Sequence, residues 1–162
     1  MRSTGEVIGF DSHLGSAYAK AELGAGNKLP LKGKIFISVN DSDKNDIIKI
    51  ARDFDEMDYK IVATEGTYQL FLQNGISSEQ IYKVGQGRPN IVDSITNNDI
   101  QLVINTPLGA QSRYDEYEIG KVSIKYKIPV VTTIQAAYSI LRAIRIMKNK
   151  ELQYSSLQSI FN

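Results

Sequence analysis

The chain has 162 residues, 42% of them hydrophobic and 23% charged, which fits one compact soluble domain with a short attachment and excludes a disordered or fibrous chain. Lys+Arg 19 against Asp+Glu 18 leaves a formal net charge of +1, so no global field gathers nucleic acid or an anionic membrane, and any anion site must be local. Cysteine is absent, which removes disulfides and thiolate chemistry, the opening "MRSTGEVIGF" has no signal-type apolar core, and no run is apolar long enough to span a bilayer; a cytoplasmic location is expected.

Residues 1–31 carry one short helical pattern, "GSAYAKAEL", closed by the Gly-rich "GAGN" and followed by "KLPLKG", which reads as a linker. A regular alternation then fills 32–150. "KIFISV" is a buried strand, and "DSDKNDIIKIARDFDEM" is an amphipathic helix with Ile47, Ile50, Ala51 and Phe54 at helical spacing and Asp41 to Asp43 as cap and first-turn acids. "YKIVAT" is the second strand, "GTYQLFLQNG" a helix ended by Asn74 and Gly75, and "IYKVG" a third, short strand. "PNIVDSITNN" reads as a helix with Pro89 in its first turn, "IQLVINT" as the fourth strand, and "YDEYEIGKVSIKYK" as a helix. "IPVVTT" is the fifth strand, "IQAAYSILRAIRIMK" the last helix, and residues 151–162 form a C-terminal tail. The expected fold is α/β: a doubly wound, five-stranded parallel sheet with helices on both faces, a Rossmann-type three-layer sandwich.

In such a sheet ligands sit beyond the carboxyl ends of the strands, so the residues there are the candidates. They share a chemical theme. Ser38 ends strand one and Lys44 opens its helix; strand two ends in Thr64, Glu65, Gly66 and Thr67; strand three carries Lys83 and is followed by Arg88; Asn105, Thr106 and Pro107 end strand four; Thr132 and Thr133 end strand five. A helix N-terminus with a glycine and two threonines suits a phosphate, because free N–H groups and the positive end of the dipole meet there. Taken alone, Thr64 as a simple helix cap explains the same residues. Convergence of Lys44 and Lys83 on the same rim raises the anion reading.

Other candidates are weaker. His13, the sole histidine, precedes the sheet and is assigned no role. "GQGRPN" does not match the spacing of dinucleotide or P-loop fingerprints and reads as a strand-exit turn. Asp115, Glu116 and Glu118 read as acids opening a helix, with a ribose or base contact as the sharper alternative. Tyr114, Tyr117 and Tyr126 read as core or rim packing, and Arg142, Arg145, Lys148 and Lys150 as cations complementing a helix C-terminus. No Ser-His-Asp set, carboxylate pair or metal cluster is visible.

From "KIFISVNDSDK" through "VATEGTYQLFLQNGI", "YKVGQGRPNIVDSI", "LVINTPLG" and "YKIPVVTTIQAA", the chain resembles the C-terminal allosteric domain of carbamoyl-phosphate synthase large subunits, a methylglyoxal-synthase-like fold. The leading "STGEVIGFDSHLGSAYAKAELGAG" resembles the end of that subunit's second, ATP-grasp-like synthetase unit. The resemblance implies a fragment of an ATP-dependent ligase that makes carbamoyl phosphate from bicarbonate and glutamine-derived ammonia, for pyrimidine and arginine synthesis. It implies ATP with magnesium or manganese in the full-length enzyme, no cofactor and no catalysis in this fragment, and a small glutaminase subunit and the same chain's synthetase core as partners.

It further implies UMP as inhibitor and IMP as a possible activator, with no nucleic acid or membrane partner. Carried over by position, Lys44, Thr64, Thr67 and Lys83 would hold the phosphate, with Ser38 and Gly66 beside them; Asn105 and Thr106 would approach the ribose, and Asp115 the base. Two departures from the family pattern are Pro107, where relatives often carry a hydroxyl, and Val130, where ornithine-sensitive enzymes carry a polar aromatic residue. A free-standing methylglyoxal synthase acting on dihydroxyacetone phosphate is the alternative, but that chemistry needs a carboxylate base and an imidazole at the site. The cyclohydrolase domain of purine synthesis shares the fold and ranks last, lacking counterparts to "GRPNIVDSI". Lys44→Ala or Thr67→Ala is expected to abolish nucleotide binding with the fold intact.

Overall fold

The computed structural model describes residues 6–106 and 110–160. Five strands, β1 (Lys34–Val39), β2 (Lys60–Thr64), β3 (Glu79–Ile81), β4 (Leu102–Thr106) and β5 (Val130–Val131), form one sheet in the order β3-β2-β1-β4-β5, with every pair parallel. The helices are α1 (Leu14–Gly24), α2 (Lys44–Asp55), α3 (Glu65–Gln73), α4 (Ile91–Thr96), α5 (Ala110–Tyr126), α6 (Ile134–Asn149) and α7 (Leu157–Ile160). This is the doubly wound α/β architecture expected from the alternation. Its topological switch lies between β1 and β4, where successive crossovers change direction.

The period-2 alternation of the strands sends their residues into two cores. Ile35, Ile37, Ile61, Ala63, Leu102 and Ile104 face α2, α3 and α6, where they meet Ile47, Ile50, Phe54, Phe71, Ile140 and Ile144. Phe36, Val62 and Val103 face the other way, against Ile91 and Ile95 of α4 and Ile119 of α5. α1 docks on α6: Ala19 is fully buried in the first core, and Gly15 lies so close to the Arg142 backbone that a β-carbon there would stand 2.9 Å away. The "KLPLKG" stretch is anchored too, with Leu29 buried and the Tyr59 hydroxyl donating to the Pro30 carbonyl at 2.7 Å. Among the described residues no helix is long and apolar enough to cross a membrane.

Several boundaries differ from the sequence expectation. β3 runs Glu79–Ile81, so the expected "IYKVG" shares only Ile81 with it: its partner β2 ends at Thr64, α3 starts on the next residue, and beyond Ile81 Tyr82 makes a single isolated bridge to Asn90. Pro89 lies outside α4. The cap is Asn90, whose Oδ1 accepts from the Val92 and Asp93 N–H groups while Asp93 accepts from the Asn90 N–H, a reciprocal capping box. α5 begins at Ala110, four residues before the expected start, so its acids do not lie in the first turn.

Candidate functional site

On three neighbouring strands the residue two places after a core side chain is polar. Phe36 gives way to Ser38, Val62 to Thr64, and Val103 to Asn105, all on the α4/α5 face at the carboxyl ends. The result is a cavity of about 250 Å³ whose floor is apolar (Phe36, Ile91, Ile119) and whose walls are polar (Ser38, Asn40, Thr64, Asn105, Thr106, Asp115, Lys83). It opens at the switch point, where an open α/β sheet accepts ligands. The volume is just below the roughly 300–1,000 Å³ usual for ligand pockets, which suits a small molecule and not a dinucleotide.

The hydroxyls are already organised. Ser38 Oγ and Thr64 Oγ1 are 3.0 Å apart and share a hydrogen bond. Thr67, buried in α3, accepts the Val39 N–H on its Oγ1 at 3.3 Å, tying the start of α3 to the end of β1. Thr64 takes the N-cap position of α3 but makes no side-chain cap bond. The simple helix-cap explanation of "TEGT" therefore fails here: its hydroxyl serves Ser38, and the first-turn N–H groups, which have no intrahelical acceptor, are not satisfied by it.

Lys44 stands beside that same helix end, its Nζ 4.0 Å from where a β-carbon on Gly66 would lie. A cation next to the positive end of a helix is electrostatically misplaced unless an anion is close by. Asp41 supplies one, with Oδ1 at 2.7 Å from Lys44 Nζ. The Lys44 ammonium holds the Asp41 carboxyl below the usual aspartate value, first by hydrogen bonding and then by charge, with Lys83 acting in the same sense. Across the cavity burial pushes Asp115 up, and Lys83 opposes that shift. Two lysines and two aspartates thus balance one another around the site.

Of the nine residues expected from sequence, Ser38, Thr64, Lys83, Asn105, Thr106 and Asp115 line the cavity. Lys44, Gly66 and Thr67 form the adjoining α3 corner. Pro107 lies outside the described residues. Sequence reasoning missed Asn40 and Asp41. Asn40, not the aspartates, caps the turn before α2: its Oδ1 accepts from the Ser42 and Asp43 N–H groups, while its Nδ2 donates to Asp43 Oδ2 at 2.8 Å and to Thr106 at 3.2 Å. That bond network clamps the ends of β1 and β4 at the cavity rim. "VND" stands at a strand end like every other candidate, so the same rule would have found it.

The remaining candidates fall outside the cavity. The His13 side chain is 69% exposed, ahead of the sheet, and bonded to Ser12. Tyr114 and Tyr117 are exposed on α5 and contribute nothing to the core, because α5 turns its Ile119 face to the sheet. Arg145 pairs with Asp53 at 3.2 Å, and Lys148 donates to the Met57 carbonyl and lies over the Tyr59 ring. Gly85, at a φ of 79°, sits in the turn that "GQGRPN" was expected to form. Among the described residues no group of three His, Cys, Asp or Glu side chains could hold a metal.

Fold and site together define an open, all-parallel α/β domain with a polar, lysine-flanked cavity at the carboxyl edge of its sheet. More particularly, the chain belongs to the MGS-like domain family, whose model matches residues 46–132, more than half of the chain. It is 46% identical, over 98% of its length, to the carbamoyl phosphate synthase large chain of Nostoc sp., of which it covers 14%. It is 44% identical to the C-terminal section of that large chain from Aquifex aeolicus, over 100% of this chain and 31% of the relative, and 44% identical to the section from Methanopyrus kandleri, over 99% and 30%. The chain thus spans between 14% and 31% of the length of these curated relatives.

Proposed function

We propose that this chain is the regulatory section of a carbamoyl phosphate synthase large chain, and that a nucleoside monophosphate occupies its cavity. The observation that carries the reading is the Lys44 ammonium beside the start of α3, whose first turn Thr64 leaves uncapped. A phosphate at that corner meets free N–H groups, the dipole, Lys44 and Lys83, and the hydroxyls of Ser38 and Thr64. Asn105, Thr106 and Asp115 line the same cavity, the first two offered to a ribose and Asp115 to a sugar or base donor. UMP as inhibitor is the first candidate and IMP the second.

Regulation follows from linkage: an effector that binds one arrangement of the domain better than another shifts distant equilibria by that difference, typically about 1–3 kcal/mol. In the longer cytoplasmic enzyme, ATP with magnesium or manganese would be handled by the synthetase core, and ammonia would come from a small glutaminase subunit. The product, carbamoyl phosphate, would feed pyrimidine and arginine synthesis. This section itself carries no chemistry on our reading, since the imidazole that methylglyoxal formation requires has no counterpart in the cavity. Calorimetric titration with UMP and then IMP, with dihydroxyacetone phosphate turnover assayed on the same sample, tests it. Saturable nucleotide binding without turnover is expected; turnover, or no binding of either nucleotide, would reject the assignment.

A further inference from the structure

The cation assigned to the phosphate is itself engaged by a carboxylate on the cavity wall. Asp41 lies on the turn between β1 and α2, its side chain 92% exposed, and Lys44, three residues on, is only 33% exposed. Asp41 lines the cavity, and the same ammonium lies 4.0 Å from where a β-carbon on Gly66, in the first turn of α3, would stand. Lys44 thus has a carboxylate partner while standing near a positive helix end, and an incoming phosphate draws on the same ammonium that Asp41 already engages.

We propose that Asp41 is a specificity-determining residue of the effector site: its carboxylate competes with the ligand's anionic group for Lys44 and so sets the affinity for every ligand that binds through a phosphate. This rests on the effector reading of the cavity. An exposed ion pair has a modest strength, so the competition weakens phosphate binding by roughly two- to fivefold and leaves ligands without a phosphate untouched. The pair also makes the site less open to adventitious anions, because a weak monoanion exchanges one carboxylate for another with no gain.

The test is calorimetric titration of inorganic phosphate, UMP and uridine into the wild-type chain, Asp41→Asn and Asp46→Asn. Asp46 lies in the first turn of α2 and serves as the control, removing the same charge from the same helix start without touching Lys44. Asp41→Asn should bind phosphate and UMP roughly two- to fivefold more tightly, with uridine unchanged and Asp46→Asn like the wild type. Unchanged or weaker phosphate binding by Asp41→Asn would overturn the role of Asp41 while leaving the site intact, since the wild type would still bind UMP. Equal tightening in Asp46→Asn would also overturn it, by showing that bulk charge and not the contact matters. A wild type that binds neither phosphate nor UMP would reject the effector reading and this proposal together.

Discussion

One face of the sheet is covered by α1, α2, α3 and α6, whose buried side chains run without interruption from Ala19 to Ile144, while the other is covered by α4 and α5 over a smaller set running from Phe36 to Ile128. The first face stays apolar through Ile37, Ala63 and Ile104 and meets a polar residue only at Thr106, the last of β4; the second turns polar at Ser38, Thr64 and Asn105. The polar cavity opens where the second face ends, because polar ends cannot be packed over by apolar helices without losing their hydrogen bonds. The strands therefore divide stability and recognition between their two sides.

Substitutions can sharpen that division. Phe54→Ala, at a fully buried position on the thick face, should cost about 3–5 kcal/mol in chemical denaturation while the folded fraction keeps its affinity for UMP. At the carboxyl edge, where α2 opens, Lys44→Met should do the reverse, changing the denaturation midpoint little and weakening UMP by roughly 10- to 100-fold in calorimetry, the range of a lost charge-assisted hydrogen bond. A Lys44→Met chain with wild-type affinity would break the division outright.

Smaller effects fall where the two roles meet. Thr67→Ala is not the clean binding mutant that the sequence suggested, because it leaves the Val39 N–H without its acceptor; about 1–2 kcal/mol of stability should be lost along with affinity, measured on the same preparation. Asp115→Asn should raise stability slightly at neutral pH, since burial penalises the charged form and holds the folded carboxyl above its ordinary value of 3.8. The folded state binds that proton more tightly than the unfolded one, so the difference between wild type and variant should shrink as pH falls through the raised value and vanish below 3.8. Denaturant midpoints across that range would check both the sign and the window.

Most of this was legible because local signals and tertiary demands agree. "KIFISV" is β1 from end to end, since a central strand buried on both faces is apolar through its middle, here Ile35, Phe36 and Ile37. Of the six expected site residues that line the cavity, Ser38, Thr64, Lys83, Asn105 and Thr106 were selected by their place at or near the strand ends, and Asp115, on α5, by the resemblance. What could not be read depended on pairing. β3 was expected too late in the chain, at "IYKVG" and not Glu79–Ile81, because nothing in the sequence announces that its neighbour β2 turns into a helix at Glu65. Asp115 looked like a first-turn acid because Pro107 and Gly109 disguise a helix that starts at Ala110. Asn40 and Asp41 were hidden by their ordinary role as turn residues, although their bonds to Thr106 and Lys44 make them part of the rim.

The central claim is that the α3 corner is an anion site and that the anion is a phosphate ester. Titration of this chain with UMP and uridine side by side tests it most directly. The account predicts saturable UMP binding and a loss of at least roughly 100-fold on removing the phosphate, the scale of two charge-assisted contacts. Equal affinity for UMP and uridine would contradict it, because the recognition would then lie in the sugar and base, away from Lys44 and Lys83.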